Sequence, residues 1–162
     1  MAESVEADRE AVKKVVRRWA RAFSSGDADA VLAVWDRAYP MIRHQAEEFP
    51  DPLRGWDELS HYNRTMVRLA SGFRDQSVLD LEADVIGDMA WCYLRGTITF
   101  DVETMSKPIT GVARQTFILH RTADGWKVIH YHESRETPGL REPLLAAHPR
   151  PDEIRAQGKG NG

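Results

Sequence analysis

A chain of 162 residues, 42% hydrophobic and 29% charged, has the length and composition of one domain that buries roughly 70% of the surface its unfolded form exposes. Its formal net charge of -3, with lysines and arginines scattered along the chain, leaves no basic stripe for phosphates and argues against a nucleic-acid partner. No apolar run approaches the roughly 20 residues that cross a bilayer, so no membrane partner is expected.

The opening MAESVEADRE has neither the basic start nor the apolar stretch of a leader, and a cytoplasmic location is expected. Val12, Val15, Val16, Trp19 and Phe23 recur at three- and four-residue intervals, which predicts a first helix over 5–23 with a basic outer face. Ser25 and Gly26 break that pattern, and Asp27 has the chemistry of an N-cap for a second helix running to Trp35. Pro40 ends the helical reading, a short strand is expected over 41–46, and turn formers fill 47–55. Trp56, Leu59, Tyr62 or Asn63, Met66 and Leu69 then predict a third helix, with Asp57 and Glu58 at its positive end and Gly72 as its stop.

From 73 to 134 the period changes to that of strands. Four long ones are expected, separated at Gly87-Asp88, around Lys107-Pro108 and at Asp124-Gly125, and forming an antiparallel meander. Cys92 lies within them and, as the only cysteine, excludes an intrachain disulfide. Helices first and strands afterwards predict an α+β fold in which a curved antiparallel sheet wraps three N-terminal helices as a cone, leaving a pocket between the first helix and the sheet. The cone is expected to occupy 1–138, and residues 139–162, rich in proline, glycine and charge, to form an extended tail.

The segment GVARQTFILHRTADGWKVIHYHES, with Asp124-Gly125-Trp126 at a hairpin, resembles the last two strands of SnoaL-like proteins, members of the nuclear transport factor 2-like superfamily. The turn from Ser24 to Ala30 and the helix start Gly55-Trp56-Asp57-Glu58-Leu59 are similar to the same superfamily, so the resemblance spans about 5–135. The HR..DG.W...H.H.S ending and the Tyr93-Leu94-Arg95 strand resemble most nearly the association domain of calmodulin-dependent protein kinases. That resemblance implies that the faces bearing Arg95, Phe117 and Glu133 look into the cone. Of the basic groups that hold small acids in that domain, it retains Arg95 alone. The superfamily contains isomerases, dehydratases, epoxide hydrolases and polyketide cyclases beside members that only bind or assemble, so the site must decide the function.

Resemblance to ketosteroid isomerase implies that His44 stands near the general-base position, with Glu47 and Glu48 close behind and Tyr62 on the third helix. Trp19 replaces that enzyme's first-helix tyrosine, and Gln115 or Phe117 its protonated acid, so steroid isomerisation is not expected. Arg95 lacks the carboxylate two residues on that an epoxide hydrolase would use to activate water. The candidate catalytic set is His44 as base, Arg95 as anion stabiliser and Tyr62 or Tyr93 as donor. The candidate ligand-binding set is Trp19, Trp35, Trp56, Trp91, Gln115, Phe117, Tyr131 and Glu133. Trp35, Trp56 and Trp91 also fit a purely structural account as core, His44 one as a solvent-facing strand residue, and Glu47 and Glu48 one as a solvated loop.

His130 and His132 project to one side of a strand, but no third ligand stands at diagnostic spacing, so neither a metal nor another cofactor is expected. The resemblance implies instead that they lie on a convex face with Arg114 and His120, through which two chains pair as a homodimer. Two functions stay open: acid–base chemistry on a small, partly apolar molecule as a cyclase, isomerase or dehydratase, or non-catalytic binding or assembly.

Overall fold

The computed structural model describes residues 2–103 and 105–135, with residues 2, 3 and 70–76 as backbone only. The expected tail over 139–162 lies outside the described residues. The elements run α1 (Ala2–Ser25), α2 (Ala28–Ala33), β1 (Arg43–Gln45), β2 (Leu53–Arg54), α3 (Gly55–Leu69), β3 (Ala70–Ile86), β4 (Met89–Val102), β5 (Ile109–Thr122) and β6 (Gly125–Arg135).

α1 buries the stripe Val12, Val16 and Trp19, each apolar side chain contributing about 2 kcal/mol through its burial. It stops at Gly26, whose φ of 74° is the left-handed conformation that closes a helix without a Cβ penalty. Asp27 caps α2 by accepting from Ala30 N at 2.9 Å. α2 ends at Ala33, short of Trp35, because Trp35 is drawn into an isolated parallel bridge with Val128. α3 ends at Leu69, and Gly72, the expected stop, already belongs to β3.

Among the described residues six strands form one sheet in the order β2-β1-β6-β5-β4-β3. The pairs β3–β4, β4–β5 and β5–β6 make the expected antiparallel meander. The sheet as a whole is mixed, because β1 joins the edge of β6 in parallel, with Arg43, His44 and Gln45 opposite His130, Tyr131 and His132. The chain from Val34 onward already runs beside β6: Val128 N donates to Val34 O at 2.9 Å and Asp36 N donates to Val128 O at 3.0 Å. β1 then continues beside β6 in the same direction.

β6 carries a bulge, since Ile118 opposes His130 while Leu119 opposes Val128, so Ile129 is the extra residue. A strict two-residue alternation sets Val128 on the face opposite Tyr131. The bulge reverses the phase, and both are buried in the core with Trp126. The inner face of the sheet bears Ala90, Cys92, Leu94, Phe117, Leu119, Val128 and Tyr131 against α1. Burial pushes the Cys92 thiol up to about 12, which makes it an inert core group. Among the described residues no helix is long and apolar enough to cross a membrane.

Candidate functional site

Between α1, α3 and the inner face of the sheet lies a cavity of about 50 Å³. Its apolar wall comes from Trp19 and Phe23 of α1, Met66 of α3, and Ile98 and Phe100 of β4. Its polar end comes from His44 of β1, Glu48, Tyr62 of α3, Gln115 of β5, and Tyr131, Glu133 and Arg135 of β6. The parallel β1–β6 pairing builds this end, because it sets His44 beside Tyr131 in register and lets the rings stack at 4.5 Å with 26° between planes.

Two tyrosine–glutamate couples face the hollow. The Tyr62 hydroxyl donates to Glu48 Oε1 at 2.7 Å, and the Tyr131 hydroxyl donates to Glu133 Oε2. Burial, reinforced by the neighbouring carboxylates, pushes both phenols well above their ordinary range, so they stay protonated as donors. Burial lowers His44 to about 3, with His130 adding to the effect, so its imidazole is neutral at physiological pH. Among the described residues no hydrogen-bond partner reaches His44 Nδ1 or the buried Nε1 of Trp19.

Arg135 Nε lies 2.5 Å from Glu47 Oε1, and its guanidinium stands 5.8 Å from the centre of the Phe100 ring. Burial raises Glu47 above the usual carboxylate range, against the opposing pull of Arg135. Beyond this pair opens a groove of about 630 Å³ lined by Gln45, Ala46, Glu47, His132 and Ser134. The groove and the cavity share Glu48, Glu133 and Arg135 as a common wall.

Six of the residues expected at the site line the cavity: Trp19, His44, Tyr62, Gln115, Tyr131 and Glu133. Phe117 lies behind them, edge-on to Trp19 at 5.1 Å and to Tyr131 at 5.0 Å, and Trp35 is core at 5.7 Å from His44. Trp56 packs beside the core under the Arg37 guanidinium, at 5.4 Å.

Arg95, Tyr93 and Trp91 do not join the site, which corrects the expected orientation of β4. In the ladder Cys92 opposes Phe117 and Leu94 opposes Gln115, so the even-numbered residues face inward. Ala90, Cys92 and Leu94 on that face are buried in one core cluster with Val12 and Val16 of α1. Trp91 is left 38% exposed on the outer face, and Arg95 has Asp80 and Arg114 as its ladder neighbours. Three lining residues had a legible signal: Phe23 and Met66 lie on the apolar stripes of their helices, and Glu48 closely follows His44. Ile98 and Phe100 belong to the strand face that the expected orientation turned outward, and nothing in the sequence singles out Arg135.

The model of the SnoaL-like domain matches residues 12–138. The chain belongs to the SnoaL-like family. Its cone is similar to an NTF2-like superfamily protein from Salmonella enterica serovar Typhimurium LT2, with a TM-score of 0.72 at 15% identity over 85% of this chain and 97% of that one. It is also similar to a Streptomyces avermitilis protein described as a candidate dehydratase of the NTF2-like family, with a TM-score of 0.71 at 20% identity over 82% and 98% of the two chains. A ketosteroid isomerase-like protein from Erwinia carotovora atroseptica gives a TM-score of 0.67 at 16% identity over 81% and 98%. At these identities the likeness establishes the fold, and this SnoaL-like chain must be read from its own side chains. They offer two carboxylates able to take or return a proton, two phenol donors, and an apolar wall.

Proposed function

We propose that the protein binds a small, partly apolar molecule in the cone and moves a proton on it, as an isomerase, dehydratase or cyclase does. The observation that carries this reading is the convergence of Tyr62–Glu48 and Tyr131–Glu133 on one enclosed hollow whose other wall is apolar. Glu133 is the proton carrier, and Tyr62 and the neutral His44 supply hydrogen bonds to the reacting group. His44 does not serve as the base, since an imidazole lowered to about 3 holds a proton too weakly near neutral pH. The relatives described as a candidate dehydratase and a ketosteroid isomerase-like protein support chemistry of this class.

The cavity of about 50 Å³ holds little more than water, whereas ligand pockets run to roughly 300–1,000 Å³. A ligand therefore enters by parting the wall shared with the groove, where Arg135 is held by Glu47. Met66, an unbranched and adaptable side chain, is the natural part of the apolar wall to yield.

The test is deuterium uptake at carbon from D₂O by a panel of polyketide-like and terpenoid carbonyl compounds, followed by mass spectrometry. Exchange is expected with the wild type, to fall by about 10²-fold or more in Glu133→Gln, and to change by less than about tenfold in His44→Phe. Exchange that persists in both Glu133→Gln and Glu48→Gln would remove the carboxylates as proton carriers.

A second reading is favoured by the outer face, where Trp91 and Met89 are 38% and 43% exposed in one row. Two chains pairing through that face, with Arg114, His130 and His132 around it, would make a homodimer with or without catalysis. His120, the ladder partner of Met89, holds its Nε2 against Asp36 Oδ2 at 2.7 Å.

A further inference from the structure

Among the described residues, three side chains that line the cavity carry a buried nitrogen without a hydrogen-bond partner: Trp19 at Nε1, His44 at Nδ1 and Arg135 at Nε, the last of which is still ion-paired with Glu47. Trp19 and His44 are each 3% exposed. Their rings flank the same side chain, Trp19 at 5.4 Å and His44 at 4.5 Å from the Tyr131 ring. Buried donors are almost always paired, so an unpaired one facing a hollow marks where an occupant is required. Trp35 Nε1 and Asn63 Oδ1 are likewise unpartnered among the described residues, but neither residue lines the cavity.

We propose that Trp19 and His44 together anchor an uncharged oxygen of the ligand, a carbonyl or hydroxyl and not a carboxylate. This rests on the small-molecule reading above and narrows its ligand class. An indole N–H can only donate, so its partner must be an acceptor. A neutral imidazole offers one donor and one acceptor, and its tautomer adapts to a carbonyl or a hydroxyl oxygen. The acceptor must be uncharged, because the described lining offers an anion no free cation and carries two carboxylates. Arg135, the one cation among the described lining residues, is engaged with Glu47, while Glu48 and Glu133 line the same hollow and repel a further anion. Arg95, which would have received a carboxylate, is on the other side of the sheet.

Three probes of nearly one shape separate the possibilities: cyclohexanone, methylenecyclohexane, in which carbon replaces the oxygen, and cyclohexanecarboxylate. Binding is followed by the indole N–H resonances of ¹⁵N-labelled protein, of which the five tryptophans give five. The Trp19 resonance is assigned by its loss in Trp19→Phe or, should that variant not fold, through contacts to Phe23, 5.6 Å away. Cyclohexanone is expected to move the Trp19 resonance downfield and to bind about fivefold to tenfold tighter than methylenecyclohexane, the span one buried hydrogen bond supports. Trp19→Phe should erase that preference, and the carboxylate should bind weakest. Equal binding of ketone and alkene, or a preference that survives Trp19→Phe, overturns the anchor while leaving the pocket. The carboxylate binding tightest overturns the uncharged class. If none of the three perturbs Trp19 or any other cavity residue, the small-molecule reading itself fails.

Discussion

His44 combines burial, ring stacking and an unused nitrogen, and its titration is the most direct probe of the site. The folded protein keeps it neutral down to about pH 3, whereas the unfolded chain protonates it near 6.5. Between those values the unfolded state binds the extra proton, so stability present at pH 7 is lost progressively as pH falls from 6.5 toward 3. Each pH unit in that window is worth up to ~1.4 kcal/mol. His44→Phe retains the ring against Tyr131 and removes the titration. Denaturant unfolding at pH 7 and pH 4.5 is expected to show the wild type losing about 2 kcal/mol more than the variant over that interval. Parallel losses would mean that the histidine titrates normally in the fold. The residue types at the site were legible early, since a histidine followed by two glutamates and a helix tyrosine reads as proton chemistry. Their roles were not, because the basicity of an imidazole depends on what surrounds it.

The elements themselves followed from periodicity and capping, with α1, α3 and the four long strands near their expected bounds. Where strand β3 crosses β4 the chain departs from regular pairing, with register shifts on both sides of the Ser77 to Gly96 region. Gly96 answers that irregularity: a Cβ there would lie 2.9 Å from the backbone oxygen of Ser77. Backbone cannot yield as a flexible side chain does, so Gly96→Ala must push β3 away from β4. Thermal or denaturant unfolding is expected to register a loss of about 1–3 kcal/mol. A variant as stable as wild type would mean that the edge strand adjusts freely. The same kind of local irregularity, the bulge at Ile129, turned Val128 inward against simple alternation. Neither device is written in hydrophobic period, because both arise where two strands must accommodate each other.

In the whole molecule the sheet separates two surfaces, an inner one that holds the cavity and an outer one with Trp91 and Met89 exposed. If that outer face joins two chains, Trp91→Glu plants a charge at the contact of each copy and should convert a dimer to a monomer in sedimentation at micromolar concentration. A wild type that is already monomeric would dismiss the assembly reading. The amino-acid sequence by itself determined the α+β class, the order of helices and strands and the SnoaL-like resemblance, and named six of the residues that line the cavity, because apolar spacing, capping residues and turn chemistry act locally. Only the tertiary structure decided which face of β4 looks inward, since both faces alternate equally well until α1 presses its valines against one of them. It likewise decided that β1 runs parallel to β6 and so delivers His44 to Tyr131. That pairing joins residues more than eighty positions apart, and no local signal encodes it.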